Sequence, residues 1–254
     1  MKTILSRTAL SILLIATTAF GSSAFALDDK QKEEFGAFIK EYLIAHPEVL
    51  LDAQAALEKK QEAARAAQTT AAVVDNREEI FHSKDDIALG NPQGDVSVVE
   101  FFDYNCGYCR HALPDMEAML KKDKNIRFVL KEFPILGPDS LAAHRVSDAF
   151  RQLAPEKYGA YFRSILGSNS RATEQSAIDD AAAFGVTEAA LRKTMKANTD
   201  DTNLKQTYAL AQKLAINGTP AYIIGDEVIS GAIGAEALQQ KVANVRACGK
   251  TTCS

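Results

Sequence analysis

The sequence predicts an α/β domain whose sheet is interrupted by a block of helices, preceded by a separate helical stretch. Three observations predict it. Ser97 to Tyr104 is a short, nearly unbroken β-branched and aromatic run, the pattern of a strand covered on both faces. It leads through Cys106-Gly107-Tyr108-Cys109 into Arg110 to Leu120, where apolar residues recur at helical spacing. Ile126 to Phe133 reads as the next strand, and strand, crossover helix, strand imply a parallel pair. Residues 140–215 then carry no strand pattern, and strands return only at Ala221 to Ile224 and Glu227 to Gly231.

The first residues read as an export signal. Lys2 and Arg7 give a positive start, Ala9 to Phe20 is an apolar core too short to span a bilayer, and Ala24-Phe25-Ala26 is a small-residue cleavage site. Residues 1–26 are therefore expected to be a cleaved leader of bacterial style, with the periplasm as destination. The formal net charge is −4, and loss of Lys2 and Arg7 with the leader makes it −6. A mild acidic excess argues against nucleic acid and anionic membrane surfaces as partners. No second apolar stretch is long enough to cross a membrane. All four cysteines fall after the leader, in a compartment where disulfides persist.

Residues 27–78 are expected to form a helical, oligomerising region. Asp28-Asp29 can start a helix whose apolar stripe is Phe35, Phe38, Ile39, Tyr42 and Leu43. Pro47 ends it and suits the opening of a second helix. That helix carries a thinner stripe of Val49, Leu50, Ala53, Ala56, Leu57 and Ala64, followed by strong helix formers with little to bury. Such a helix is a solvated linker or one arm of an oligomer, and the oligomer is favoured, its order left open. Residues 79–247 are expected to form the main domain. It starts with a candidate strand, Glu79-Ile80-Phe81-His82, and a surface His82. Asn91-Pro92-Gln93-Gly94 is a turn, and Gly137-Pro138-Asp139-Ser140 closes the strand–helix–strand unit. A helical insertion at about 138–215 follows, with segments at 140–153, 155–166, 173–184, 187–197 and 202–215. His144, within it, reads as an ordinary surface or core residue. Gly225-Asp226 is a hairpin turn, and residues 234–246 form the closing helix. Pro220 would remove a ladder donor at the start of a buried strand, so a cis proline in a tight turn suits it better.

The chemistry-bearing feature is Cys106-Gly107-Tyr108-Cys109. At a strand-to-helix junction, Cys106 meets unpaired N–H groups and the positive end of the helix dipole, which favour thiolate over thiol. Two thiols three positions apart can close a disulfide within the first turn, so the pair reads as a reversible dithiol/disulfide couple. Zinc is disfavoured because a structural site wants four ligands, and no metal or other cofactor is expected. A purely structural disulfide gains little from so short a loop. A Cu(I)-binding, copper-tolerance role is the alternative of another class, since Cu(I) prefers thiolates, although no Met- or His-rich tract supports it. Residues 248–254 form a cysteine-containing tail. There Cys248 and Cys253 are expected to form a local disulfide, with a redox relay or a metal contact as the other readings.

Together these pieces resemble the thioredoxin superfamily, and the inserted helical block resembles its DsbA group, over about Val96 to Arg246. Glu100-Phe101-Phe102-Asp103-Tyr104-Asn105-Cys106-Gly107-Tyr108-Cys109, with Thr219-Pro220 downstream, most resembles DsbA-like proteins of the Com1 and ScsC type. The helical stretch after the leader resembles the stalk with which ScsC-type proteins oligomerise. The resemblance implies a thioredoxin fold with an inserted helical domain behind an N-terminal stalk. It implies Cys106 as exposed nucleophile, Cys109 as buried resolving thiol, and Glu100 as a buried acid moving the Cys109 proton. It also implies Pro220 as a cis proline beside the site and Thr219 as a backbone contact for an extended substrate, with Gly107 and Tyr108 adjoining it. Lys131, on the next strand, is the cation offered to Glu100. Gly-Tyr between the cysteines and threonine before the proline resemble the isomerases, whereas the insertion resembles the oxidases. The expected activity is a periplasmic disulfide isomerase or reductase, with a dithiol oxidase as the rival. Expected partners are exported proteins with thiols or disulfides, a DsbB- or DsbD-like membrane redox partner, and further copies of the chain.

Overall fold

The computed structural model describes residues 28–198 and 200–253, so the leader expected at residues 1–26 lies outside the described residues. The chain divides into two compact units between Glu58 and Lys59. The first holds α1 (Asp29–Ala45) and the start of α2 (Glu48–Asp75). Asp28 caps α1, its carboxylate accepting from the Gln31 N–H at 2.8 Å while the Gln31 side chain accepts from the Asp28 N–H. No residue of α1 is buried; Phe35, Phe38 (63% exposed), Ile39 and Tyr42 all face outward.

The second unit is built on a five-stranded mixed sheet. Its elements are α3 (Arg77–Phe81), β1 (Ile87–Gly90), β2 (Val96–Phe102), α4 (Gly107–Lys122) and β3 (Ile126–Glu132). Then come α5 (Pro138–Leu153), α6 (Tyr158–Gly167), α7 (Glu174–Ala183), α8 (Glu188–Ala197) and α9 (Thr202–Lys213). β4 (Ala221–Ile224), β5 (Glu227–Ser230) and α10 (Ala235–Cys248) complete it. Strand order is β1-β3-β2-β4-β5, with β2 and β3 parallel and the other neighbours antiparallel. The five helices α5 to α9 lie between β3 and β4 in sequence, where the helical block was expected.

Alternation along β2 sorts its side chains into two cores. Val98 and Phe102 join a core with Met116, Phe128, Phe150 and Phe162, beneath α4, α5 and α6. Val99 and Phe101 join the opposite core with Val73, Ile80, Phe81, Leu210 and Leu214. Two sequence expectations fail here. Residues 79–82 are not a strand: α3 ends at Phe81, and Ile80 and Phe81 are both buried against the sheet. The strand at the β3 edge of the sheet is β1, whose four residues are too short for their pattern to show. Lys131 does not pair with Glu100, because β2–β3 register sets Lys131 opposite Phe101 and Glu100 opposite Leu130. Neighbours in register share a face, so Glu100 and Lys131 project to opposite sides. Lys131 instead binds Asp86 at 2.5 Å and donates to the Glu79 carbonyl at 2.8 Å.

Lys131 and Asp86 form a buried ion pair, their side chains 3% and 5% exposed. Burial pushes the Asp86 carboxyl up, against the pull of Lys131. Lys131→Met leaves that carboxylate buried and unpaired, at a cost of about 3–5 kcal/mol near neutral pH. The deficit should shrink as pH falls and Asp86 takes a proton, measured as urea stability at neutral and mildly acidic pH.

Candidate active site

The site lies where β2 ends. After Phe102 the chain turns, and Asp103 fixes the turn: one carboxylate oxygen accepts from the Asn105 N–H at 2.8 Å, and the other from Ile135 and Leu136 N–H at 2.8 and 2.9 Å. The Asn105 side chain pairs with both backbone groups of Ala172, ahead of α7, at 2.8 and 2.9 Å. The helical insertion is thereby tied to the residue preceding Cys106. Next to it, Tyr104 N–H donates to His144 Nε2 at 3.3 Å, and His144 Nδ1 lies 3.1 Å from the Glu132 carboxylate. Glu132 also accepts from Tyr158 at 2.6 Å and Ser147 at 2.5 Å, and these hydrogen bonds, with His144 beside them, hold it below the usual carboxylate range against the cost of burial. His144 is thus a core residue with polar work, which its position in the sequence did not disclose.

Cys106 caps α4. Its sulfur accepts from the Cys109 N–H at 3.3 Å and, as a thiol, donates to the Thr219 carbonyl at 3.2 Å. The Cys109 thiol first, then the Thr219 side chain and the first backbone N–H groups of α4, favour the thiolate, outweigh burial and lower its pKa to about 6. Expected to be exposed, Cys106 is only 5% accessible, with the Thr219 carbonyl against its sulfur. Cys109 is fully buried, and burial pushes its thiol well up, reinforced by Cys106 and the Glu100 charge. Both cysteines are free thiols. Gly107 has open space around its α-carbon, and Tyr108 beside it is 70% exposed.

Thr219-Pro220 is a cis peptide immediately before β4, as expected. Glu100 is 2% exposed, and burial first, then the Cys106 charge, raises its pKa to about 8. The structure therefore brings together Cys106, Cys109, Glu100, Thr219, Pro220, Gly107 and Tyr108. Sequence reasoning missed Tyr222, which stands opposite Glu100 in the β2–β4 register. Its only sequence signal is its place two residues after Pro220.

A model of the DSBA-like thioredoxin domain matches residues 97–243. The chain belongs to the DsbA-like thioredoxin family. A model of the copper resistance protein ScsC N-terminal domain matches residues 31–64, over α1 and part of α2. Among solved structures, a thioredoxin-like oxidoreductase from Silicibacter pomeroyi is 38% identical, with TM-score 0.65 over 68% of this chain and 99% of that one. The thiol-disulfide exchange protein alpha-DsbA2 from Wolbachia pipientis is 28% identical, with TM-score 0.66 over 72% and 98%. BcfH from Salmonella enterica Typhimurium is 26% identical, with TM-score 0.73 over 88% and 97%. A search of curated proteins gives no match. DsbA-like proteins are thiol-disulfide oxidoreductases, and this chain carries two free thiols at its β2–α4 junction.

The tail is separate. Cys248 and Cys253 form a disulfide, and Thr251, buried beside it, binds the Asp226 carboxylate through its N–H and hydroxyl at 3.1 Å. Asp226 turns the β4–β5 hairpin, at the far end of β4 from Pro220. The pair thus pins the hairpin at the end of the sheet away from Cys106, which removes the ground for a direct relay between the two.

Reaction of reduced protein with iodoacetamide should modify Cys106 with a midpoint near pH 6, well below the 8.5 of a free thiol. Cys109→Ala, which removes the main partner of the Cys106 sulfur, should move that midpoint upward.

Proposed function

We propose that this chain acts in the periplasm on exported proteins as a disulfide isomerase or reductase. The Cys106 sulfur held against Thr219, ahead of the cis Pro220, carries the reading. The Cys106 thiolate attacks one sulfur of a substrate disulfide, the substrate S–S bond breaks, and the other substrate sulfur leaves as thiolate. A mixed disulfide joins Cys106 to substrate. In isomerisation the freed substrate thiolate, or another, attacks the substrate sulfur of that bond and returns Cys106 as thiolate. In reduction Cys109 loses its proton to Glu100 and attacks Cys106, which releases the second substrate thiolate and leaves Cys106–Cys109 oxidised. Substrate gains two electrons and the pair loses two. A DsbB- or DsbD-like membrane partner restores the working state.

Three features support the isomerase side over the oxidase. Gly107-Tyr108 and Thr219 resemble isomerases, and the exposed stripe on α1 suits a homo-oligomer with several sites. The ScsC N-terminal match covers that stripe. The oxidase reading rests on the low pKa of Cys106, which stabilises the dithiol form and so makes the disulfide more oxidising. Reactivation of scrambled ribonuclease tests the choice. The chain should restore activity in a reducing glutathione buffer, Cys106→Ser should abolish this, and Cys109→Ser should accumulate mixed disulfide. Efficient oxidation of reduced protein without reactivation would establish the oxidase instead. A Cu(I) titration of reduced protein against Cys106→Ser tests the copper reading.

Residues 27–78 are proposed as the oligomerisation region. Phe38→Lys with Tyr42→Glu puts charge into the exposed stripe of α1 and should reduce the sedimentation mass to that of one chain, with the alkylation midpoint of Cys106 unchanged.

A further inference from the structure

Among the described residues, Glu100 is a buried carboxyl without a cation beside it. Its facing neighbours are fixed by register: Leu130 on β3 and Tyr222 on β4. Lys131 lies on the other side of the sheet, bound to Asp86. Facing residues of an antiparallel pair hold their Cβ atoms about 4.5–5.5 Å apart, and both side chains here are sealed in, Glu100 2% and Tyr222 1% exposed. Tyr222 faces the Glu100 carboxyl across the ladder and draws its pKa down against burial, while Oε1 of the carboxyl keeps no partner among the described residues. One end of the carboxyl is thus open to a proton. Tyr222 also follows the cis Thr219-Pro220 peptide by two residues, so one strand carries both the neighbour of Cys106 and the partner of the buried acid.

We propose that Tyr222 is the positioning residue of the buried acid: its phenol donates to Glu100 and holds the carboxylate ready to take the Cys109 proton. This rests on the reading of Glu100 as that proton's acceptor. A phenol does what a lysine could not. A lysine across the strand would favour the ionised form more strongly than a neutral phenol does and make the carboxylate a weaker base. The phenol offsets part of the burial cost and leaves the acid titrating at about 8, near working pH, where proton transfer is most effective. Burial keeps the phenol itself protonated, so it donates throughout. The other titratable groups facing this pair are Cys106 and Cys109 at the head of α4 and Asp115 further along it.

The step affected is resolution. The Cys109 proton passes to Glu100, the Cys109–Cys106 bond forms, and the Cys106–substrate bond breaks with the substrate sulfur leaving as thiolate. Tyr222→Phe keeps the ring and its packing and removes only the donor. Glu100 should then titrate about one unit higher, and the carboxylate fraction at pH 7 should fall about tenfold. The chain contains no tryptophan to report the step, so the probe is acid quench and mass analysis after mixing reduced protein with a disulfide-bonded peptide. The variant should accumulate the Cys106–peptide mixed disulfide at pH 7, resolve it about tenfold more slowly, and recover as pH rises past 8. The carbon-13 shift of the Glu100 carboxyl should show the same upward displacement. Glu100→Gln should resolve slowly at every pH, and adding Tyr222→Phe to it should change nothing further. If Glu100→Gln resolves with the parent pH profile, the proton-acceptor reading itself falls. If Glu100→Gln is slow while Tyr222→Phe keeps the parent profile and carboxyl midpoint, the role of Tyr222 is overturned and that of Glu100 stands.

Discussion

The antiparallel pairing of β2 with β4 is the constraint on which the site depends. It brings Thr219 to the Cys106 sulfur across 113 positions of sequence, with the whole helical insertion between them. The same ladder sets Tyr222 on Glu100. Without it Cys106 would still cap a helix but would lack its neighbour at Thr219, and Glu100 would be a buried charge with no partner.

The surrounding structure holds that pairing and the adjoining turn in place. Asp103 ties the turn to residues 135 and 136, Asn105 ties it to Ala172, and the Glu132–His144 pair reaches its Tyr104 amide. Three segments far apart in sequence thus converge on three consecutive residues. A short turn held by buried polar groups loses little further freedom on reaction, which suits a sulfur that must stay ionised and aimed. On the other face of the sheet, Lys131 and Asp86 secure β3 to the approach to β1 without touching the chemistry.

The division of labour between the two thiols follows from local physics. Cys106 sits on the helix N-terminus, where free N–H groups and the dipole favour negative charge. Cys109, one turn later, is enclosed by the core and held as a thiol until a base reaches it. In the proposed reaction one sulfur attacks and the other waits on the buried acid between strand and helix.

The sequence by itself determined the strand–helix junction, the cysteine pair, the cap of α1, the helical block and the proline turn. Each rests on contacts between residues close along the chain, whose signals are periodicity, capping and turn chemistry. Only the tertiary structure decided who faces whom. The sequence offered Lys131 to Glu100 because it lies on the neighbouring strand, but pleat and register turned Lys131 to the opposite face and gave Glu100 a tyrosine. It left His144 an ordinary residue because its partners, Tyr104 and Glu132, lie in other elements. The short β1 went unseen, and residues 79–82 read as a strand, because four residues carry too little pattern to outweigh burial against a sheet formed elsewhere. Facing pairs in a sheet depend on register between distant segments, and no local stretch of sequence records it.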